Sequence, residues 1–183
     1  MMTEKEKMLS GDLYDPYDKV LSAERLVTRQ LLKKINETPE NEKKLKARLF
    51  KELMPNSGRG LWIQTPFYCD YGPNIVTGEN VFFNFNCVVL DPVKIIIGSR
   101  VWIGPNVQIY AATHPVDHTL RATGKQIGKE IIIGDDVWIG GNVTICPGVI
   151  IGSRSIIGAG SVVTKNIPAD VMAAGNPCKL IKK

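Results

Sequence analysis

The chain is poor in the side chains that metal and redox sites use: it has two histidines and four cysteines in 183 residues. Cys69, Cys87, Cys146 and Cys178 are scattered, and no two form a C-x-x-C pair. Neither a disulfide framework nor a metal site is expected, and the four read as small buried apolar side chains. No apolar run approaches the roughly 18 residues of a membrane helix. The opening MMTEKEKMLSGDLYDPYDKV lacks the apolar core of a signal peptide. No membrane partner is expected, and the cytoplasm is the expected location. Aromatics are 7% of the chain and none is interleaved with the basic residues at the C-terminus, so a net charge of +5 does not read as a nucleic-acid surface. Lys165, Lys179, Lys182 and Lys183 collect where acidic residues are sparse. They form either a solvated basic tail or a seat for a phosphorylated ligand.

What is present divides into two regions, 1–56 and 57–183. Just over half of the charged residues fall in the first. Its pattern predicts a helix over residues 23–36, ended by Asn36, Thr38 and Pro39, and a second over 40–53, where Leu45, Leu49 and Leu53 make one apolar stripe. Pro55, Asn56, Ser57 and Gly58 then break the chain.

The second region is a repeat. Ile133, Ile139, Ile145, Ile151, Ile157 and Val163 stand six residues apart, and Ile97, Ile103 and Ile109 lie on the same grid upstream. Gly follows many of these anchors, as at Gly98, Gly104, Gly134, Gly140, Gly152 and Gly158. Four residues after each anchor comes a second small or apolar residue: Val101, Val107, Val137, Val143, Val149, Ser155 and Ser161. A helix cannot keep such a grid on one face, and the glycines break long strands. Short strands joined by tight turns satisfy both limits: three strands form one coil of a triangular prism, with the aliphatic anchors on its axis. The predicted fold class is mainly β, a parallel β-helix of hexapeptide repeats with a short α-helical N-terminal segment. Coils stack on their neighbours, so stability is close to a nearest-neighbour sum.

One segment, residues 111–130, lacks the pattern, after which the grid resumes in register. A loop of this length in a compact solenoid carries function more often than not. It holds both histidines, His114 and His118. A neutral imidazole suits proton removal from a hydroxyl at neutral pH, which makes His114 the candidate base. Asn84 and Asn86 flank Phe85, and Asp70 and Asp91 interrupt apolar strands. Such residues shape turns at prism corners or bind the hydroxyls of a sugar, and the sequence leaves both roles open. Trp102 and Trp138 each precede an anchor and so point outward, to pack on another subunit or stack on a ligand.

Three stretches, Ile133-Gly134-Asp135-Asp136-Val137-Trp138-Ile139-Gly140, Ile157-Gly158-Ala159-Gly160-Ser161-Val162-Val163-Thr164-Lys165 and the closing Ala173-Ala174-Gly175-Asn176-Pro177, resemble the hexapeptide-repeat acyltransferases. The opening Met8-Leu9-Ser10-Gly11-Asp12-Leu13-Tyr14-Asp15 and the loop Thr113-His114-Pro115-Val116 narrow the resemblance to the maltose and galactoside O-acetyltransferases. The resemblance implies a left-handed parallel β-helix, a departure from the usual right-handed crossover. It also implies a homotrimer with active sites between subunits and acetyl-CoA lying between two prisms. By this matching His114 is the general base that deprotonates a sugar hydroxyl, which attacks the thioester directly. Asp70 and Asn84, with Asp91 and Asp15, would hold the acceptor. Trp138 and the backbone at Gly141 and Ala159 would contact the pantetheine side of the cosubstrate. Thr164, Lys165, Lys179 and Lys182 would lie near its nucleotide and phosphates. No metal is implied.

Overall fold

The computed structural model describes residues 1–181. Three helices, α1 (Glu4–Ser10), α2 (Lys19–Glu37) and α3 (Lys43–Leu53), precede a mainly β solenoid. The first face of the prism stacks Trp62–Ile63, Phe82–Phe83, Trp102–Ile103, Trp138–Ile139, Ile156–Ile157 and Met172–Ala174 as six parallel strands. An antiparallel strand, Lys179–Ile181, closes it. The second face holds Phe67–Cys69, Cys87–Leu90, Gln108–Tyr110, Thr144–Ile145 and Val162–Val163. The third holds Ile75–Thr77, Ile95–Ile97, Ile131–Ile133 and Ile150–Ile151. The predicted anchors all point inward: Ile97, Ile103, Ile109, Ile133, Ile139, Ile145, Ile151, Ile157 and Val163 are buried, as are the second-position residues Val101 to Ser161. Each buried Ile contributes about 1.5–3 kcal/mol. The glycine after an anchor has a steric cause. A Cβ on Gly140 would stand 2.6 Å from the backbone nitrogen of Ala159 in the next coil.

The faces meet at three corners. Corner one joins the first face to the second, corner two the second to the third, and corner three the third back to the first. Corner three turns through left-handed residues at Asn80, Arg100, Asp136, Arg154 and Asp170, all with φ near +60°. Exposed ion pairs link these turns, Arg100 with Asp136 and Arg154 with Asp170, each bidentate. Exposed pairs of this kind contribute little to stability. Corner one turns through Asn86, Asn106 and Asn142, again left-handed, and then Gly160.

Corner two is where the count breaks. Cys69, Val89, Ile109 and Ile145 stand in register on the second face, and Thr77, Ile97, Ile133 and Ile151 on the third. The steps between them are 77 − 69 = 8, 97 − 89 = 8, 133 − 109 = 24 and 151 − 145 = 6 residues. The six-residue step therefore holds around corner two in one coil, from Ile145 to Ile151, and the coil above it takes only four residues, from Val163 to Ile167. In the lower three coils extra chain is inserted there.

The longest insertion is residues 111–130, more ordered than its sequence suggests. It forms a two-residue antiparallel hairpin, Ala112–Thr113 with Ile127–Gly128, and a single helical turn α4 (His118–Arg121) capped by Asp117. Arg121 donates to the carbonyls of Pro115 (3.0 Å) and Val116 (2.8 Å), which fastens the loop tip.

The helices differ from the pattern at their ends. Helix α2 starts at Lys19, ahead of its apolar stripe, because Asp18 caps it and accepts from the N–H groups of Val20 and Leu21. Helix α3 starts at Lys43 and not at Glu40. The short α1, with no long apolar stripe to announce it, is held by a reciprocal capping box between Thr3 and Glu6. Leu32, Ile35, Leu49, Phe50 and Leu53 of α2 and α3 join the solenoid core in one buried cluster. Met8, Tyr14, Leu21 and Tyr71 form a second, smaller one. Among the described residues no helix is long and apolar enough to cross a membrane.

Candidate active site

The three insertions at corner two carry three of the predicted site residues, one in each successive coil: Asp70, Asp91 and His114. Asp91 is fully buried. Its Oδ1 accepts from the backbone N–H of Asp70 (3.0 Å) and Tyr71 (2.9 Å), and its Oδ2 from Gly72 (2.7 Å). Its carbonyl accepts from the Asn74 amide at 2.8 Å. Burial pushes the carboxyl up to about 7, against the pull of those N–H donors. Asp91 therefore lies on the inner side of the turn that presents Asp70. Its carboxylate is used to build that turn and does not face solvent. The turn is also held from the helical side: Thr28 of α2 donates to the Tyr71 carbonyl (3.0 Å), and Arg25 to the Tyr71 hydroxyl (2.6 Å). Asp70 is half-buried. Desolvation raises its carboxyl above the ordinary value, opposed by the charges of Arg25 and Arg29.

His114 follows the first strand of the hairpin, exposed in the single chain, with Pro115 buried behind it. Its Nδ1 stands 3.1 Å from the carbonyl oxygen of Lys125, on the returning arm of the loop. A carbonyl can only accept, so the neutral ring carries its proton on Nδ1 and offers an unprotonated Nε2. The Gln126 amide nitrogen lies 3.5 Å from that Nε2, and Gln126 Oε1 accepts from the Tyr14 hydroxyl at 2.8 Å. Tyr14 and Gln126 also exchange two backbone hydrogen bonds of 3.0 Å. This pairing brings the segment before α2 against the histidine loop and places Asp15 beside it. Asp15 is exposed. Its backbone N–H donates to Glu4 and its Oδ1 accepts from Tyr17 (2.8 Å). The Tyr14 hydroxyl is held well above its ordinary pKa by burial first, then by Tyr71 and Asp70, against the opposing charge of Arg25. One connected group thus runs from His114 through Gln126 and Tyr14 to the Asp70–Tyr71 turn.

The remaining predicted residues lie elsewhere on the chain. Asn84 is at corner one, after Phe82–Phe83, and its Oδ1 accepts from the Phe85 N–H at 2.8 Å. Ile63, Phe83, Ile103, Ile139 and Ile157 are in register, so Asn84 stands in a column that runs from Gln64 through Gly104, Gly140 and Gly158. Gly141 and Ala159 stand in the neighbouring column, tied by the Gly160 N–H donating to the Gly141 carbonyl at 2.9 Å. Trp138 sits two residues ahead of this corner, on the outer first face between Trp102 and Ile156, and is 55% exposed. Lys179 pairs with Ala174 near the top of the same corner and is exposed. Thr164 and Lys165 are exposed and follow Val162–Val163 at the upper end of corner two. Lys182 lies outside the described residues.

A single chain therefore gathers His114, Asp70 and Asp15 at corner two, with Asp91 buried behind the Asp70 turn. It gathers Asn84, Gly141, Ala159, Trp138 and Lys179 along corner one, at the opposite edge of the second face. Sequence reasoning missed Tyr14, Arg25, Thr28, Tyr71 and Gln126. The interruption at 111–130 holds Gln126, and the extra two residues at corner two that hold Tyr71 emerge only from the strand register. Nothing in the repeat pointed to the three N-terminal partners.

Residues 7–58 match the maltose acetyltransferase hexapeptide capping motif, and residues 130–165 match the bacterial transferase hexapeptide with its six repeats. The galactoside O-acetyltransferase of Escherichia coli (strain K12) is 40% identical over 178 residues, 97% of this chain and 88% of that one. A solved maltose O-acetyltransferase from Clostridium difficile 630 superposes with a TM-score of 0.97 at 48% identity, covering 100% of this chain and 97% of that one. A hexapeptide-repeat acetyltransferase from Vibrio cholerae O1 biovar eltor, solved with acetyl coenzyme A, superposes at 0.91 with 39% identity, covering 100% and 98%. With a capping motif at one end, hexapeptide coils at the other and this degree of identity along nearly its whole length, the chain belongs to the maltose and galactoside O-acetyltransferase family.

Proposed function

We propose that the chain transfers the acetyl group of acetyl-CoA to a hydroxyl of a sugar in the cytoplasm, with His114 as general base. The observation that carries this reading is the contact of His114 Nδ1 with the Lys125 carbonyl, which leaves Nε2 free to take a proton. The acceptor O–H gives its proton to Nε2 as its oxygen attacks the thioester carbonyl. The C–S bond then breaks, and the imidazolium returns the proton to the departing thiolate. Atoms and charges balance without an acyl-enzyme.

In this reading Asp15, next to Tyr14 on the histidine-loop pairing, and Asp70, whose charge reaches the Tyr14 hydroxyl, accept hydrogen bonds from further acceptor hydroxyls. Asp91 serves by fixing the Asp70 turn. Corner one offers a lining suited to a long, thin cosubstrate: small residues at Gly104, Gly140, Gly141, Ala159 and Gly160 keep side chains out of its way. Trp138 flanks that lining, Lys179 supplies positive charge at its upper end, and Thr164 and Lys165 lie across the second face. The division of the residues between two corners supports a homotrimer. Side by side, corner two of one copy and corner one of the next supply together what one chain holds apart.

Replacing His114 by Ala lowers kcat by about 10²–10⁴, the range expected for a general base, while coenzyme A binding is kept. The measurement is free-thiol release from acetyl-CoA with a panel of mono- and disaccharides. Unchanged turnover in the variant overturns the assignment.

A further inference from the structure

The polarity of the hydrogen bonds around His114 can be followed from a fixed end. The Lys125 carbonyl accepts only, so Nδ1 of the neutral ring donates and Nε2 must accept. The group facing Nε2 is the side-chain amide of Gln126, which must then present its NH₂. That leaves its Oε1 to the Tyr14 hydroxyl, which must donate. Burial raises the Tyr14 hydroxyl and so keeps it protonated, able to fill that role at any working pH. Every bond in the chain Tyr14 → Gln126 → His114 → Lys125 points the same way.

We propose that Gln126 is a positioning residue that holds His114 in its base-competent tautomer, and that Tyr14, from the N-terminal segment, orients Gln126. The proposal rests on the reading of His114 as the base. A free imidazole has no such commitment, and an amide turned end for end would put its oxygen against Nε2, draw the proton there and disable the base. The Tyr14 hydroxyl opposes that turn by occupying the amide oxygen. The backbone pair between residues 14 and 126 keeps the two side chains in register. At 3.5 Å the amide contact on Nε2 is long, hence weak, and an acceptor hydroxyl at normal distance displaces it. The released NH₂ then lies beside the acceptor oxygen. The segment ahead of α2 therefore sets the chemical state of the catalytic ring as well as covering the solenoid.

The test uses the full chain and Gln126→Glu, Gln126→Leu and Tyr14→Phe. The ¹⁵N shifts of His114, one of only two histidines, are assigned with a His118→Gln variant and report the tautomer at a pH where the ring is neutral. The native chain is expected to show the proton on Nδ1. Gln126→Glu, whose carboxylate can only accept, moves it to Nε2 or keeps the ring charged. It lowers kcat by about 100-fold, a fraction of the cost of a wrong tautomer in a catalytic triad. Gln126→Leu lowers kcat by about 10-fold and Tyr14→Phe by less, the scale for loss of an orienting partner. The KM for acetyl-CoA stays within about twofold in all three, since none of them lies at corner one. Unaltered ¹⁵N shifts and kcat in Gln126→Glu overturn the proposal. Turnover surviving His114→Ala instead removes the base, while the tautomer spectra still decide whether the Gln126 chain exists.

Discussion

Two corners border the second face, and they are built by opposite rules. At corner one every coil takes the same six-residue step, from Ile63 to Cys69, Phe83 to Val89, Ile103 to Ile109, Ile139 to Ile145 and Ile157 to Val163, and above the first coil the corner is mostly Asn, Gly and Ala. At corner two the lower coils insert two, two and 18 residues beyond that step, and the insertions carry Asp70, Asp91 and the His114 loop. Regular stacking makes a long uniform edge of small residues, poor in side chains that can move protons. Chain added at a corner costs the core little, because inward residues keep their register across it. It also frees side chains from packing to do chemistry. The difference teaches where a hexapeptide solenoid can acquire new side chains: at the interrupted corner, with the regular one left alone.

The sharpest way to break this comparison is to separate the corners genetically. Asn84→Ala impairs corner one and His114→Ala corner two, so each alone is strongly impaired. If the working site joins corner two of one copy to corner one of the next, mixed assemblies of the two variants contain some intact junctions. With random assortment the intact share is ½ × ½, about a quarter of native activity in a closed homo-oligomer. Co-refolding equal amounts and assaying acetyl transfer checks this. Recovery no greater than the sum of the two parents means that each chain completes its own site across the second face.

A smaller effect sharpens the role of corner two itself. Asp91→Asn keeps the shape of the side chain but leaves one oxygen for three N–H donors and puts an NH₂ among them. Leaving buried donors unmatched costs about 2 kcal/mol of stability, read from the urea midpoint. The turn that loosens carries Asp70, so the acceptor KM rises while the acetyl-CoA KM holds. A variant with unchanged acceptor KM would show that the Asp91 cradle serves folding alone.

Most of the solenoid was legible because its determinant is one-dimensional: Ile97, Ile103, Ile109 and the run from Ile133 to Val163 mark the axis by spacing alone, and all are buried. His114 was legible because the repeat stops around it. Asp91 was visible as a polar residue in an apolar strand, but its direction was not. Whether a carboxylate faces a ligand or three backbone N–H groups depends on the coil beneath, where Asp70 to Gly72 turn. Tyr14 and Gln126 were invisible as a pair because 112 residues separate them and neither follows a period. Helix α1 was missed for a related reason. Its seven residues bury only Met8, too little to leave a stripe, and its start is fixed by the Thr3–Glu6 capping box.

The smallest expected effect concerns the fastening of the N-terminal segment to corner two. Glu4 accepts from Lys7 (2.5 Å) and from the backbone N–H of Asp15 (2.6 Å), next to Tyr14. The Lys7 hydrogen bond first, then the Asp15 N–H, and after these the charges of Lys7 and Lys125, hold its carboxyl below the ordinary 4.5. A carboxyl depressed in the folded state stabilises it above the unfolded value and loses that contribution as pH falls through the folded one. Glu4→Gln should therefore cost about 0.5 kcal/mol at pH 7, the scale of a solvent-accessible pair. The difference from the native chain should shrink as the pH is lowered below 4.5, measured by urea unfolding at both ends. A difference that stays constant into acid would assign the contact to packing, not charge. If the difference shrinks and kcat falls with it at neutral pH, the hold on Asp15 reaches Tyr14, and through Gln126 the catalytic ring.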